Sequence, residues 1–216
     1  NLIMKKKLYS IKNRIKKYFQ KKYFNPANYW EKNGGKHYFD TFHSDDGDRN
    51  EKFFLNYINK YKPKRIIDVG CGYGRYLKAI KNKFPKIELV GIDISKSQIA
   101  FAKQYLSDDS IKLLVNDTSN INFEDKYFDL ALTYSLWAHI PPKNFDAAFN
   151  EVKRISKKGY FLEFDRSFEN KKALKIKSNH VFNYTFETLF QKYLISKTLI
   201  KYSQGDTLYH LDFDER

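Results

Sequence analysis

One segment near residue 70 constrains the fold of this chain more than any other. Residues 65–69 are mostly apolar and β-branched, which is typical of a short strand buried in a parallel sheet. Gly70, Gly72 and Gly74 follow at alternate positions, and the next residues have the composition of a helix. Glycine lets the backbone turn sharply and approach a ligand, and the start of a helix offers unpaired N–H groups. The segment therefore predicts a strand, a glycine loop and a helix around a nucleotide-like ligand.

The spacing of these glycines excludes two common phosphate-binding loops. The dinucleotide fingerprint needs its third glycine at the sixth position of the loop, where this chain has Arg75. A P-loop needs Gly-Lys followed by Ser or Thr, and that sequence does not follow the glycines. The loop must therefore serve another ligand.

Predicted strands and helices alternate along the rest of the chain. In chain order they are a helix over 51–61, the strand over 65–69 and its helix, a strand over 87–94, a helix over 96–106, strands over 111–118 and 127–133, a helix over 145–155, and a strand over 160–165. Such alternation with short connections requires a parallel sheet with right-handed crossovers. A short helix is predicted over 187–193, and residues 194–200 and 207–213 predict a closing β-hairpin.

Polar side chains collect where the predicted strands end, namely Asp68, Asp93, Asp117, Tyr134 and Asp165. Open sheets of this kind bind ligands beyond the carboxyl ends of their strands. A carboxylate in the position of Asp93 can accept hydrogen bonds from both ribose hydroxyls of a nucleoside. The alternative for Asp93 is an exposed charge at the start of the next helix.

These motifs together resemble those of the class I S-adenosylmethionine (SAM) dependent methyltransferases. The segments that carry the resemblance are Asp68–Gly74, Val90–Ser95, Asn116–Thr118, Phe128–Leu132 and Glu151–Gly159. The resemblance implies SAM as cofactor, with S-adenosylhomocysteine (SAH) as its product. It implies that Asp93 holds the ribose, that Asp117 faces the adenine amino group, and that Asp68 orients the loop or the methionine amino group. The full set of implied cofactor residues is Asp68, Gly70, Cys71, Gly72, Gly74, Asp93, Ile94, Asp117, Thr118 and Tyr134.

The same resemblance implies the fold class and the domain organisation. We expect an α/β, Rossmann-like, seven-stranded and mostly parallel sheet whose last strand is antiparallel, with helices on both faces and an N-terminal helical extension. We expect residues 1–50 to form a basic helix and an aromatic lid segment, and residues 51–216 to form the methyltransferase domain.

The acceptor is constrained by motifs that are missing. The Asp/Asn-Pro-Pro-aromatic signature of amino-directed DNA methyltransferases is absent after the fourth strand, and the single cysteine, Cys71, lies in the glycine loop instead of a Pro-Cys motif. We therefore expect a small-molecule or saccharide-linked acceptor that is methylated on a hydroxyl or phospho-type oxygen. An RNA or tRNA acceptor is the alternative, and it is motivated by the net charge of +15 and the basic N-terminal segment.

Two residues are candidates for the chemistry on the acceptor. His139 follows the fourth strand and titrates near neutral pH, so it could be the general base for a hydroxyl acceptor. It could instead contact the cofactor or cap the next helix. Glu163 and Asp165 share one face of the fifth strand, and Asp165 lies nearer its end, which favours Asp165 as an acceptor-site residue. The other histidines have no ligand spacing, so we expect no metal site.

The N-terminal 43 residues have two distinct parts. Residues 5–24 contain nine basic residues and no acidic one, with apolar residues at helical spacing. This basic helix could make weak contact with an anionic membrane surface, or it could pack on the domain as an extension or lid. Tyr29, Trp30 and Tyr38 then flank a Gly-Gly pair, and they either close over a bound ligand or anchor the basic helix.

Composition indicates the compartment. A single cysteine excludes an internal disulfide, and no apolar run has the length of a membrane span. No signal peptide is visible. These observations predict a cytoplasmic protein, with peripheral membrane contact through the basic helix as an additional possibility.

Overall fold

The structure, a computed structural model, describes residues 24–43, 50–164, 180–182, 184–200 and 206–214. Apart from Phe24, the predicted basic helix over 5–24 lies outside the described residues. Asp165 also lies outside them.

A seven-stranded sheet forms the centre of the molecule, in the order β3-β2-β1-β4-β5-β7-β6. The strands are β1 (Arg65–Val69), β2 (Glu88–Asp93), β3 (Lys112–Val115), β4 (Leu130–Tyr134), β5 (Lys158–Phe164), β6 (Leu194–Ile200) and β7 (Asp206–Asp212). The first five are parallel, and β7 pairs antiparallel with both β5 and β6. The predicted fold class is therefore confirmed, including the antiparallel last strand.

The helices are α1 (Pro26–Asn33), α2 (Gly35–Phe42), α3 (Glu51–Tyr61), α4 (Arg75–Lys83), α5 (Lys96–Leu106), α6 (Pro142–Ile155) and α7 (Phe186–Phe190), with short 3-10 turns at Trp137–His139 and Gln191–Tyr193. The bounds of α3 agree with the prediction. Helix α6 starts three residues earlier than predicted, because Pro142 suits the first helical turn. The aromatic segment after Phe24, for which the sequence indicates no regular element, forms α1 and α2.

Alternate residues of the strands point to opposite faces of the sheet, and a hydrophobic core covers each face. Ile66, Leu130 and Leu132 pack with α3, α4 and α5. On the other face, Ile67 and Ala131 pack with α6, α7 and the fully buried Trp137. The β-branched run of β1 is thus covered on both sides. This explains why buried and exposed residues do not alternate along β1 and why its last four residues are all buried.

The two edges of the sheet are β3 and β6. Strand β3 is only four residues long. Strand β6 carries a register shift between Leu194 and Ser196, and Lys197 on it forms an ion pair with Glu187 at 2.7 Å. Among the described residues, no helix is both long enough and apolar enough to cross a bilayer.

Candidate functional site

A cavity of about 320 Å³ lies at the carboxyl ends of the parallel strands. The loops after β1, β2, β3 and β4 each contribute to its wall, and so do α1 and α2. Of the residues that the sequence predicts for the site, the cavity wall contains Gly70, Gly72, Asp93, Ile94, Asp117, Thr118, Tyr134, His139, Trp30 and Tyr38. The remaining predicted residues take other positions, described below.

The glycine loop turns where only glycine fits. Gly70 has φ +74°, and a Cβ atom there would lie 2.8 Å from Cδ1 of Leu136. Gly74 has φ +85°, and its Cβ would lie 2.9 Å from Cδ1 of Leu106 on α5. Gly74 therefore lets α4 pack closely against α5, whereas Gly70 and Gly72 form the cavity wall. Cys71 is buried outside that wall, with Sγ 3.7 Å from the carbonyl oxygen of Gly72, and burial raises the pKa of its thiol.

Asp93 joins the glycine loop to the end of β2. Its carboxylate accepts hydrogen bonds from the backbone N–H of Gly72 at 3.0 Å and of Ser95 at 2.9 Å. Burial raises the pKa of Asp93 to about 6; the hydrogen bonds from Ser95 and Gly72 oppose this shift, and the negative charge of Glu31 adds to it. An acid with this geometry fits a partner that brings hydroxyl donors, such as a ribose.

Asp68 is buried immediately before the glycine loop and is not part of the cavity wall. It is 3% exposed, and its Oδ2 atom has no hydrogen-bond partner among the described residues. Burial and the nearby Asp93 raise the pKa of Asp68 to about 7, and Arg75 opposes the shift. Buried polar atoms normally find a partner, so this oxygen fits a site where a ligand supplies a donor or a positive charge.

Further buried polar atoms near this edge of the sheet also lack partners within the described residues. They include Oδ1 of Asn116, after β3, Oγ1 of Thr133, in β4, and Nε1 of Trp137, in the turn that follows β4. Asp117 is exposed, and its Oδ1 accepts from the backbone and hydroxyl of Ser119 at 2.9 and 2.8 Å, while Thr118 is buried. Unpartnered atoms near the carboxyl ends of β1, β3 and β4 support a polar ligand at this edge.

Glu163 holds the turn that follows β4. It is 1% exposed, and its carboxylate accepts backbone N–H groups of Leu136 at 2.8 Å, Trp137 at 3.1 Å and Ala138 at 3.3 Å. Glu163 thus shapes the loop that carries His139, although the sequence indicates only that it shares a face with Asp165. The position of Asp165 itself lies outside the described residues.

His139 lines the cavity at the end of that turn. Its Nδ1 lies 2.9 Å from the carbonyl oxygen of His180, and the two rings stack at 5.1 Å. The ring of Trp30 meets the ring of His139 edge-on at 5.1 Å. The arrangement places the imidazole of His139 at the cavity wall.

The aromatic residues before α3 divide between two layers. Trp30 and Tyr38 line the cavity and meet each other edge-on at 5.9 Å. Tyr29 lies outside the wall, stacked on His180 at 4.3 Å with its hydroxyl 3.3 Å from Nε2 of His180. Burial raises the pKa of the Tyr29 hydroxyl.

Helix α1 is fastened to the start of α5, beside Asp93. Oε2 of Glu31 accepts from the backbone N–H of Ser97 at 3.1 Å and from Oγ of Ser95 at 3.2 Å. Oε1 of Gln98 accepts from the backbone N–H of Gly35 at 2.9 Å. A Cβ at Gly35, which has φ +60°, would lie 3.0 Å from the carbonyl oxygen of Ser97, so the Gly-Gly pair allows close packing here.

Sequence reasoning missed Glu31, Gln98 and His180 as residues around the site. Gln98 carried a weak signal, since it follows the N-cap serine of α5 by three residues, as in a capping box. Glu31 and His180 reach the site from distant parts of the chain, and local patterns cannot show such contacts. Among the described residues, no group of three or more His, Cys, Asp or Glu side chains could hold a metal ion.

Comparison with known proteins agrees with this geometry. Residues 66–159 match a family model described as a methyltransferase domain. The fatty-acid O-methyltransferase of Mycolicibacterium smegmatis is 30% identical over 103 residues, which is 47% of this chain and 37% of that protein. The cyclopropane-fatty-acyl-phospholipid synthase of Escherichia coli is 28% identical over 45% of this chain and 25% of that protein. The carboxy-S-adenosyl-L-methionine synthase of Campylobacter hominis is 26% identical over 66% of this chain and 64% of that protein.

Solved structures share the fold of this chain. The PH0226 protein of Pyrococcus horikoshii superimposes with a TM-score of 0.64 at 21% identity, over 83% of this chain and 99% of that one. The methyltransferase domain of bacterial CtHen1 superimposes with a TM-score of 0.60 at 17% identity, over 76% of this chain and 97% of that domain. At these identities the similarity concerns the fold alone.

The fold, the glycine loop with its acid and these matches define a class I SAM-dependent methyltransferase domain. More particularly, this chain carries such a domain over residues 66–159 at least, and the cofactor of the class is SAM. The chain spans 37% and 25% of the length of the first two of these relatives, so their activities do not carry over to it directly.

Proposed function

We propose that this chain transfers the methyl group of SAM to an oxygen atom of a small molecule that has an apolar part. The observation that carries the proposal is the joining of the glycine loop to Asp93 beside a cavity whose wall also holds His139 and Trp30. One part of the wall thus suits a nucleoside and another part suits a second reactant.

The chain's residues fit SAM at several points. Asp93 would accept hydrogen bonds from the ribose hydroxyls of SAM. Asp117 and Thr118 would lie at its adenine end. The unpartnered oxygen of Asp68 would stabilise the positively charged amino group of the methionine moiety, directly or through the loop. SAM supplies an activated methyl group, so the protein has to position the reactants, exclude water and remove a proton.

His139 is the residue we propose for proton removal. As the acceptor oxygen bonds to the methyl carbon and the carbon–sulfur electron pair stays on sulfur, the proton of the acceptor hydroxyl passes to the imidazole. The turn held by Glu163 positions the ring, and Trp30 packs against it. If the acceptor oxygen is already ionised, as in a carboxylate or phosphate, the same ring serves only to orient it.

The lining of the cavity supports an acceptor with an apolar part. Beside Trp30 and Tyr38, the wall contains apolar side chains from the start of α1, from the residues just before it and from the segment before α6: Phe24, Pro26, Ala27, Ile140 and Pro141. By their names, two of the relatives act on fatty acids or fatty-acyl phospholipids. A saccharide-linked acceptor remains the other prediction from the sequence, since aromatic rings also suit sugar faces.

Methyl transfer from labelled SAM tests the proposal. The purified chain is incubated with SAM labelled in its methyl group and with separate acceptor pools: fatty acids and lipid alcohols, sugar nucleotides, and tRNA. We expect label in the lipid-type pool. At a SAM concentration near the KM of the wild type, the label should be reduced in Asp93→Asn and retained in Asp109→Asn, an exposed aspartate away from the cavity wall. Label in the tRNA pool alone would establish the RNA alternative, and absence of both SAH binding and transfer would overturn the proposal.

A further inference from the structure

His180 lies in a stack of rings beside the cavity. Its imidazole is sandwiched between Tyr29, at 4.3 Å and 23°, and His139, at 5.1 Å and 16°. The ring of Trp30 meets it edge-on at 5.8 Å. The ring of His180 therefore connects α1 to the turn that carries His139.

The backbone around His180 braces the same turn at successive residues. The carbonyl oxygen of His180 accepts a hydrogen bond from the ring of His139. The backbone N–H of Phe182 donates to the carbonyl oxygen of Ala138 at 2.7 Å. The hydroxyl of Tyr184 donates to the carbonyl oxygen of Ile140 at 2.7 Å. Contacts from one short stretch to consecutive residues of the turn restrict both the position and the rotation of the His139 ring.

The hydrogen bond from His139 to His180 also defines where the proton on the ring lies. A carbonyl oxygen only accepts, so Nδ1 of His139 must carry the hydrogen that it donates. A neutral imidazole has one N–H, so Nε2 then holds the lone pair. In an unconstrained histidine the opposite tautomer, with hydrogen on Nε2, predominates. The environment thus selects the form in which Nε2 is the basic nitrogen.

We propose that His180 is a positioning residue that selects the Nδ1–H tautomer of His139 and orients its Nε2 as the base for the acceptor. This inference rests on the proposed function, because it concerns the same reaction. The carbonyl that makes the bond belongs to the backbone, and the stacked ring of His180 holds that carbonyl in place. The proposal therefore requires a flat ring at position 180, and it does not require the 3.3 Å contact between Nε2 of His180 and the Tyr29 hydroxyl.

Nitrogen NMR of the full chain, with all histidines labelled with ¹⁵N, tests the tautomer directly. The spectra are recorded at about pH 8.5, where ordinary imidazoles are neutral. Loss of one signal in His139→Gln assigns the ring of His139. We expect protonated Nδ1 and unprotonated Nε2 for His139 in the wild type and in His180→Phe, and a shift toward the Nε2–H form in His180→Ala. The matched control is His37→Ala, which alters an exposed histidine and should leave the His139 signals unchanged.

Kinetics on the same variants provide the second readout. We expect His139→Gln to lower kcat by about 10²–10⁴-fold, the range of a general base. His180→Ala should lower kcat by at least about tenfold with the KM for SAM unchanged, and His180→Phe should restore most of it. Circular dichroism identifies a variant that fails to fold.

The outcomes separate the two proposals. An Nε2–H tautomer in the wild type, or a His180→Ala variant that folds and keeps the Nδ1–H form, would overturn the role of His180 while leaving methyl transfer intact. A wild-type chain with the Nδ1–H form but no transfer to any acceptor pool would overturn the proposed function instead, and with it the purpose assigned to His180.

Discussion

Asp68 and Asp93 differ in how their charge is compensated, although both are acids at the ends of neighbouring strands. Asp93 accepts backbone N–H groups from Gly72 and Ser95, whereas Oδ2 of Asp68 has no partner among the described residues. A carboxylate that accepts backbone hydrogen bonds can stay charged despite burial. The two acids should therefore respond differently to substitution.

Asp93→Asn should weaken SAH binding. The amide retains one acceptor oxygen but brings an NH₂ group toward the backbone N–H of Gly72 or Ser95, and it lacks the charge that strengthens bonds to ribose hydroxyls. Loss of a charged hydrogen bond is worth about 1.5–3 kcal/mol, so calorimetry should show Kd rising by about 10- to 100-fold.

Asp109→Asn makes the same change at an exposed aspartate and is the matched control. It should bind SAH like the wild type. Equal affinity of Asp93→Asn and Asp109→Asn would contradict a ribose role for Asp93.

Asp68 should make the unliganded chain less stable as pH rises. In the unfolded chain an aspartate loses its proton at about pH 3.9, whereas burial and Asp93 raise the pKa of folded Asp68 to about 7. Between these values the folded chain holds more protons than the unfolded chain, so the free energy of unfolding contributed by this group falls with increasing pH. Arg75 reduces the effect, and Asp93, with its own raised pKa of about 6, extends it in the same direction.

Urea unfolding at several pH values between about 5 and 8 measures this slope. Asp68→Asn should flatten it, since the amide does not titrate, whereas Asp109→Asn should retain it. A slope that is unchanged in Asp68→Asn would show that another group is responsible.

At the scale of elements, the N-terminal helices are attached to the domain at the point where the cofactor acid also lies. Ser95 donates its N–H to Asp93 and its hydroxyl to Glu31, so one residue touches both the nucleoside side and α1. Trp30, one residue before Glu31, is part of the cavity wall. The position of α1 and the shape of the cavity are therefore linked.

Glu31→Ala should loosen the attachment of α1 to the start of α5, which is then held by the bonds of Ser95 and Ser97 to the carbonyl oxygens of Trp30 and Glu31. The substitution removes the acceptor for Ser97 N–H and Ser95 Oγ, each typically worth about 0.5–1.5 kcal/mol. Trp30 should then become more exposed to water, and its fluorescence should be quenched more easily by acrylamide. Trp137 is fully buried and provides an internal reference.

Lys32→Ala changes the exposed neighbour on the same helix and should leave quenching unaltered. Identical quenching in Glu31→Ala and Lys32→Ala would argue against the attachment through Glu31.

The elements were easier to predict from the sequence than the contacts between them. The bounds of α3, the Ser95 cap of α5 and the β6–β7 hairpin follow from local patterns of apolar residues, caps and turns. Helices α1 and α2 do not follow from local patterns, because their stability comes from packing on α5 around Gly35 and Gln98. His180 likewise acquires its place from Tyr29 and His139, which are far away in the chain. The division at residue 50 into a lid segment and a domain stays a prediction.

At the scale of the whole molecule, ligand binding should be visible as stability. A ligand that binds only the folded chain stabilises it by about 2.7 kcal/mol at a concentration of about 100 times Kd. In a chain of this size, each kcal/mol of stabilisation raises the melting temperature by about 2–4 °C. We therefore expect SAH at that concentration to raise the melting temperature by about 5–10 °C and NADH to leave it unchanged. A shift with NADH and none with SAH would contradict the assignment of the cavity.

The bent, lysine-bearing strand β6 at the border of the sheet has a consequence for crowded solutions. A second chain that approached this border to continue the hydrogen-bond ladder would meet an interrupted register at Ser196 and the ammonium group of Lys197. At the opposite border, β3 offers only four residues. Strand-to-strand stacking into fibres is thus disfavoured at both borders.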